Sequence, residues 1–291
     1  MLFVVVVLEL ALICLASNQI SLYGYKNYTQ FGLGDLNILI SVPHGGNIRP
    51  GNIKDRTNDS LGNLKSDFNT ILFGNSLRAD LSDLFGDRMP FIVSSQLHRI
   101  KMDPNRPGDE CCEDKREDSF VAYNDYHRFV AEHFRDRMVG RGRYKQALLV
   151  DLHGQSHPED WIEIGYLIRA HDLDHAPLNN ASLHSSLHCL ASHSTRTLEE
   201  LIRSRDYSMG GLLEKKFNMR VVPSPSHKSP NGANYYSGGF ITQHYSNQLN
   251  AFQIELPYSM RSNETSVKLN AKRVASAIYD FYFIHNFDEI D

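Results

Sequence analysis

Three short apolar runs, each meeting a polar cluster, constrain this chain most. Leu36-Asn-Ile-Leu-Ile-Ser-Val42 is stopped by Pro43-His44-Gly45-Gly46. Ala147-Leu-Leu-Val150 passes into Asp151-Leu-His153-Gly154, and Ala251-Phe-Gln-Ile-Glu-Leu256 carries a carboxylate at Glu255. Apolar runs of this length bounded by turn residues read as buried strands. Phe91–Val93 and Trp161–Arg169 read as further strands. Between the strands, apolar residues recur at helical spacing over Phe68–Phe85, Phe120–Met138, Thr197–Arg203, Met209–Phe217 and Ser266–Phe283. Strands alternating with helices predict an α/β fold, with a mixed, mostly parallel sheet and helices on both faces. In open sheets of this kind ligands bind beyond the carboxyl ends of the strands, where His44, His153 and Glu255 fall.

No repeat or long linker divides the 291 residues, and 41% hydrophobic content suffices for one large core. A formal charge of −4 leaves no basic footprint for nucleic acid. The apolar run from Met1 to Ala16, followed by Ser17, reads as a secretory signal, with an apolar N-terminal strand or a membrane anchor as the alternative. The expectation is therefore a signal peptide over residues 1–17, a single domain over 18–291, a secreted product and no membrane span after cleavage. Glycosylation sequons begin at Asn27, Asn58, Asn180 and Asn263. Export leaves Cys111, Cys112 and Cys189, of which one vicinal cysteine could pair with Cys189.

Histidine followed by glycine at a strand end suits a metal: neutral imidazole binds zinc, and catalytic zinc sites combine three protein ligands with an open position. His44 and His153 are the candidate imidazoles. Asp55, Asp59 and Asp67 are candidates for a carboxylate ligand, with helix capping the alternative for Asp67. Arg99 and Arg106, with Asn105, could bind an anionic substrate through planar guanidinium forks; otherwise this basic loop pairs with the acidic run 109–118. A carboxylate at Glu255 inside an apolar run is either costly or a general base. A cysteine nucleophile at Cys111 or Cys112 fits poorly, since an acidic loop raises thiol pKa values.

Several blocks together resemble the N-formylglutamate amidohydrolase family, which is related to zinc carboxypeptidases and aspartoacylases. They are Ser41-Val-Pro-His-Gly-Gly46, Leu97-His-Arg-Ile-Lys-Met-Asp-Pro-Asn-Arg106, Asp151-Leu-His-Gly-Gln-Ser-His-Pro158, Ile164-Gly-Tyr166, Tyr236-Ser-Gly-Gly239 and Gln253-Ile-Glu255. They run in the family's order from Ser41 to about Arg261. The resemblance implies a phosphorylase/hydrolase-like fold and one zinc ion. It implies His44 and His153 as metal ligands, with Asp67 of Asp67-Phe-Asn-Thr70 as the third. Arg99, Asn105 and Arg106 then polarise the scissile carbonyl or hold a substrate carboxylate, with Asp103 of the same segment among the substrate contacts. Glu255 becomes the general base. The wider carboxypeptidase superfamily places a glutamate three residues after the first histidine, where this chain has Asn47. The expected activity is zinc-dependent cleavage of an N-acyl amino acid or small peptide. The alternatives are a secreted metallocarboxypeptidase and an inactive secreted binding protein of the same fold.

Overall fold

A computed structural model describes residues 20–57, 63–175, 177–179 and 183–290. The expected signal segment, Asp59 and the sequons at Asn58 and Asn180 lie outside them. The strands are β1 (Ser21–Tyr23), β2 (Thr29–Gly32), β3 (Ile38–Val42), β4 (Phe91–Ser95), β5 (Leu148–Gly154), β6 (Ile162–Gly165), β7 (Val221–Val222) and β8 (Asn250–Leu256). They form one sheet in the order β1-β2-β4-β3-β5-β8-β6-β7. The central strands β4, β3, β5 and β8 pair in parallel, and β6 pairs in parallel with β7. Strands β1 and β2 on one side, and the β6–β8 pairing on the other, are antiparallel. The mixed, mostly parallel α/β sheet expected from the sequence is the one found.

The central strands read as near-continuous apolar runs because both of their faces are covered. Side chains alternate between faces along a strand. Ile38, Ile40 and Val42 of β3, Leu148, Val150 and Leu152 of β5, and Phe252 and Ile254 of β8 share one core. That core is closed by Phe73, Leu77 and Leu81 of the helix Thr70–Leu84 and by Val274, Ile278 and Phe281 of the helix Glu264–Ile284. Leu39, Leu149 and Ala251 face the other way, under Tyr126, Phe129, Phe134, Ile241 and Tyr245. The same alternation puts Ser41, Asp151, His153, Gln253 and Glu255 on this second face, one step further toward the carboxyl ends. Chain order also switches here. The helix Thr70–Leu84 carries β3 to β4 on one side, and the next central strand, β5, joins β3 on the other. Such switch points open a crevice at the strand ends.

Several elements differ from the sequence expectation. The first helix begins at Thr70, because Asn69 adopts a left-handed conformation (φ 60°) ahead of it. The helix expected over Phe120–Met138 is a helix over Asp118–Arg128 that continues in wider π turns through Gly140. Only Ile162–Gly165 of the Trp161–Arg169 stretch is strand, and Leu167 at φ 65° breaks it. The three cysteines among the described residues are free: Cys111 and Cys112 neighbour each other, whereas Cys189 lies against His188 and the Ser246 carbonyl. The pairing with Cys189 is therefore not made. Among the described residues no helix is long and apolar enough to cross a membrane.

Candidate active site

The crevice at the ends of β3, β5 and β8 is a cavity of about 730 Å³. His44, Asp67, Arg99, Asn105, Arg106, His153 and Glu255 all line it. His44 leaves β3 two residues after the strand ends, and His153 lies on β5. Asp67 is far from both in sequence. The Asp67 amide donates to the His44 carbonyl (2.8 Å), and the Ser66 hydroxyl donates to the Gly46 carbonyl (2.7 Å). These bonds fold the segment back over the strand end. Asp67 does not cap the helix, whose N-cap is Asn69; its Oδ2 instead accepts from the Gly154 amide at 3.1 Å. Asp55 is turned outward to Lys101, at 2.7 Å. Asn47 is exposed.

His44 Nδ1 and His153 Nδ1 are 3.1 Å apart, and Asp67 Oδ2 lies 3.4 Å from the first and 3.5 Å from the second. Four ligands held about 2.0–2.1 Å from a tetrahedral centre lie about 3.4 Å from one another. The opposite ring edges explain why these atoms converge. His44 Nε2 is 2.7 Å from Asp103 Oδ1, and His153 Nε2 is 3.2 Å from Asp151 Oδ2. A carboxylate only accepts, so each Nε2 donates, and in the neutral ring each Nδ1 then carries a lone pair. Two lone pairs and a carboxylate oxygen at such separations repel unless a metal ion or a proton lies between them. An N₂O donor set of this kind suits zinc and other borderline divalent ions. Burial disfavours charge on Asp67, yet hydrogen bonds from His153 and His44 hold its carboxyl below the ordinary value. Burial likewise opposes a charged His153, yet Asp151 and Asp67 hold its pKa well above the usual one.

Asp103 is fully buried and does not line the cavity. Its carboxylate accepts from His44 Nε2, from Arg99 Nε (2.9 Å), from Arg56 Nη1 (3.4 Å) and from the Asn105 amide (2.9 Å). Expected among the substrate contacts, it lies outside the cavity lining and bonds both an imidazole and a guanidinium. Burial opposes its charge, and His44, Arg99 and Arg56 together keep it ionised. Groups that orient ligating imidazoles tune metal affinity about 10–100-fold. Asp103→Asn should therefore weaken zinc binding by about 10–100-fold with all three candidate ligands intact. Competition against a chromogenic chelator measures this, and unchanged affinity would show that Asp103 does not tune the imidazole.

Glu255 lies beside His153 in the β5–β8 register and opposite Glu163 in the β6–β8 register. It is only 5% exposed, and its Oε1 accepts from Gln253 Nε2 at 2.9 Å. Burial, reinforced by the charges of Asp67 and Glu163 and opposed by His153 and Arg99, pushes its pKa up to about 8. Glu255 makes no ion pair with Arg261. That guanidinium donates to the carbonyls of Leu256, Phe68 and Gln155, tying together three segments of the cavity wall. A β-carbon at Gly154 would strike it, hence the glycine after His153.

Arg99 makes its side-chain hydrogen bond through Nε, to Asp103. Arg106 Nη1 donates to the Asn105 carbonyl, and Asn105 Oδ1 accepts from the Ile241 amide, fixing this loop against the helix Phe240–Tyr245. The loop is thus part of the cavity wall and not a solvated arm. Cys111 and Cys112 are buried outside the cavity, and the neighbouring thiol together with burial raises the Cys111 pKa.

Sequence reasoning gave no role to Asp151, Gln253, His157 or Glu163. Asp151 had a readable signal, since it precedes His153 by two residues on one strand face. Gln253 Oε1 is buried, has no partner, and belongs to a residue of the cavity lining.

Neither a family model nor a curated protein matches this chain. Among solved structures, the crystal structure of N-formylglutamate amidohydrolase from Ralstonia eutropha JMP134 is similar, with a TM-score of 0.52 at 11% identity. The similarity covers 89% of this chain and 98% of that one. The chain shares its α/β fold with that amidohydrolase. A gene product from Agrobacterium tumefaciens, 14% identical, matches with a TM-score of 0.44 over 87% of this chain and 89% of that one.

Proposed function

We propose that this chain is a metal-dependent amidohydrolase acting on N-acyl amino acids or small peptides with a free carboxylate. The observation that carries the reading is the convergence of two imidazole lone pairs and a carboxylate, each imidazole backed by a buried aspartate, in the cavity that holds Glu255. His44, Asp67 and His153 would hold the ion, zinc by their donor set. Bound there, it would acidify a water molecule and polarise an amide carbonyl.

The chain's own groups supply the remaining steps. Glu255 takes the water proton on its carboxylate and returns it to the departing amine. An acid–base group works best with a pKa near the working pH, and burial gives Glu255 that property. A nearby cation favours its ionised form and makes it a base at neutral pH. Arg99, held by Asp103, stabilises negative charge developing on the carbonyl oxygen. Arg106 holds the substrate carboxylate.

The test is hydrolysis of N-formyl and N-acetyl amino acids and of dipeptides, with and without a chelator. Turnover lost on chelation and restored by zinc supports the reading. Binding without turnover of any of these compounds would favour the binding-protein alternative. Affinity for the ion should also depend on pH. A proton on His153 Nδ1 occupies the same three-atom site, and the raised pKa of His153 retains that proton at neutral pH. Zinc affinity should therefore rise with pH, about tenfold per unit for each proton displaced, until the raised pKa is passed. A flat profile between pH 6 and 8 would contradict this.

A further inference from the structure

The cavity has a second wall that the proposed chemistry does not use. Glu163, fully buried on β6, accepts from His157 Nδ1 at 2.7 Å and from the Tyr236 backbone amide at 2.8 Å. One carboxylate thereby fixes two rings, whose centroids lie 4.8 Å apart at 33°. Both rings line the cavity. Phe68 and Tyr258 line it as well, with centroids 6.1 Å apart. Phe68, Tyr258 and Tyr236 are 53%, 50% and 45% exposed. A buried carboxylate is costly unless its hydrogen bonds are satisfied, and here those bonds hold a ring platform. Large exposed aromatics gathered at the mouth of a polar cavity mark a place for apolar ligand surface. The cavity's volume also far exceeds that of a formylated small amino acid.

We infer that the substrate is an N-acylated amino acid carrying a free carboxylate and an aromatic or comparably large apolar group. That group lies on the shelf formed by His157, Tyr236, Phe68 and Tyr258, and Glu163 is the positioning residue of the shelf. The inference rests on the amidohydrolase reading of the site and adds to it the substrate class. A ring transferred from water to an aromatic shelf gains selectivity of roughly tenfold or more over a substrate with no side chain.

The experiment compares N-formylphenylalanine with N-formylglycine on zinc-loaded protein, by kcat/KM and by calorimetric binding to the Glu255→Gln variant. The expected ratio is at least roughly tenfold in favour of phenylalanine in both measurements. In the Tyr236→Ser/Tyr258→Ser double variant the ratio should fall severalfold at unchanged zinc content. Glu163→Gln should raise KM for N-formylphenylalanine more than for N-formylglycine. Equal handling of the two compounds by wild type, or a ratio that survives the double variant, overturns the shelf. So does an equal change in KM for both compounds in Glu163→Gln. If neither compound is hydrolysed but calorimetry still favours phenylalanine, the catalytic reading fails while the shelf stands.

Discussion

Glu255→Gln is expected to lower kcat by about 10²–10⁴-fold, the usual contribution of a positioned general acid–base group, while zinc content stays near one per chain. Glutamine keeps the size of the side chain and an oxygen for the Gln253 Nε2 bond, but it cannot take a proton. His44, Asp67 and His153 are untouched, and the arginines that would hold the substrate belong to a different segment. A stability readout accompanies the kinetic one in chelated protein. Burial raises the folded-state pKa of Glu255 from 4.5 to about 8. The folded state then binds more protons than the unfolded state across that window, so this group makes wild type lose stability as pH rises from about 4.5 toward 8. The glutamine variant carries no such penalty. Its melting temperature should therefore gain on wild type between pH 5 and pH 8. An unchanged kcat would remove Glu255 from the chemistry, and parallel melting profiles would show that its carboxylate is not strained by burial.

Replacing either imidazole should have an effect of the same order on turnover, but through the metal. His44→Ala or His153→Ala leaves two of the three converging donors, and zinc affinity should fall by more than about 100-fold, beyond the range seen when only a group behind a ligand is lost. Hydrolysis should drop to background. The fold should persist, because Asp103 keeps Arg99, Arg56 and the Asn105 amide after His44 is removed. The lost hydrogen bond costs about 1–3 kcal/mol. Inductively coupled plasma mass spectrometry of the dialysed variants gives the metal content directly, and circular dichroism confirms folding. Full zinc occupancy in either variant would remove that histidine from the site.

The central strands were legible because both their faces are buried. β3, β5 and β8 therefore stand out as apolar runs, and a polar residue at their carboxyl ends is conspicuous. His44, His153 and Glu255 were readable for that reason. Asp67 stood out from Asp55 and Asp59 as the candidate ligand only through family resemblance, since its position before a helix suits a cap equally well. Only the fold shows that Asn69 takes the cap position while Asp67 turns to the imidazoles. Asp103 was expected among the substrate contacts through the resemblance of its segment, and nothing local reveals that His44, Arg56 and Arg99 converge on it in the interior. Glu163 was invisible as part of the site, because its place opposite Glu255 depends on β6 returning antiparallel along β8. Strands β1, β2 and β7, of two to four residues, are set by their pairing partners more than by any pattern of their own.

The central claim is that one divalent ion, held by His44, Asp67 and His153, is required for amide hydrolysis in this cavity. Stepwise zinc titration of chelator-stripped protein, with amine release from an N-acyl amino acid followed at each step, tests it most directly. The account predicts no turnover at zero zinc, a linear rise and a break at one equivalent per chain. Turnover in the stripped protein, or zinc bound at one equivalent with no hydrolysis of any N-acyl amino acid or dipeptide, would contradict it.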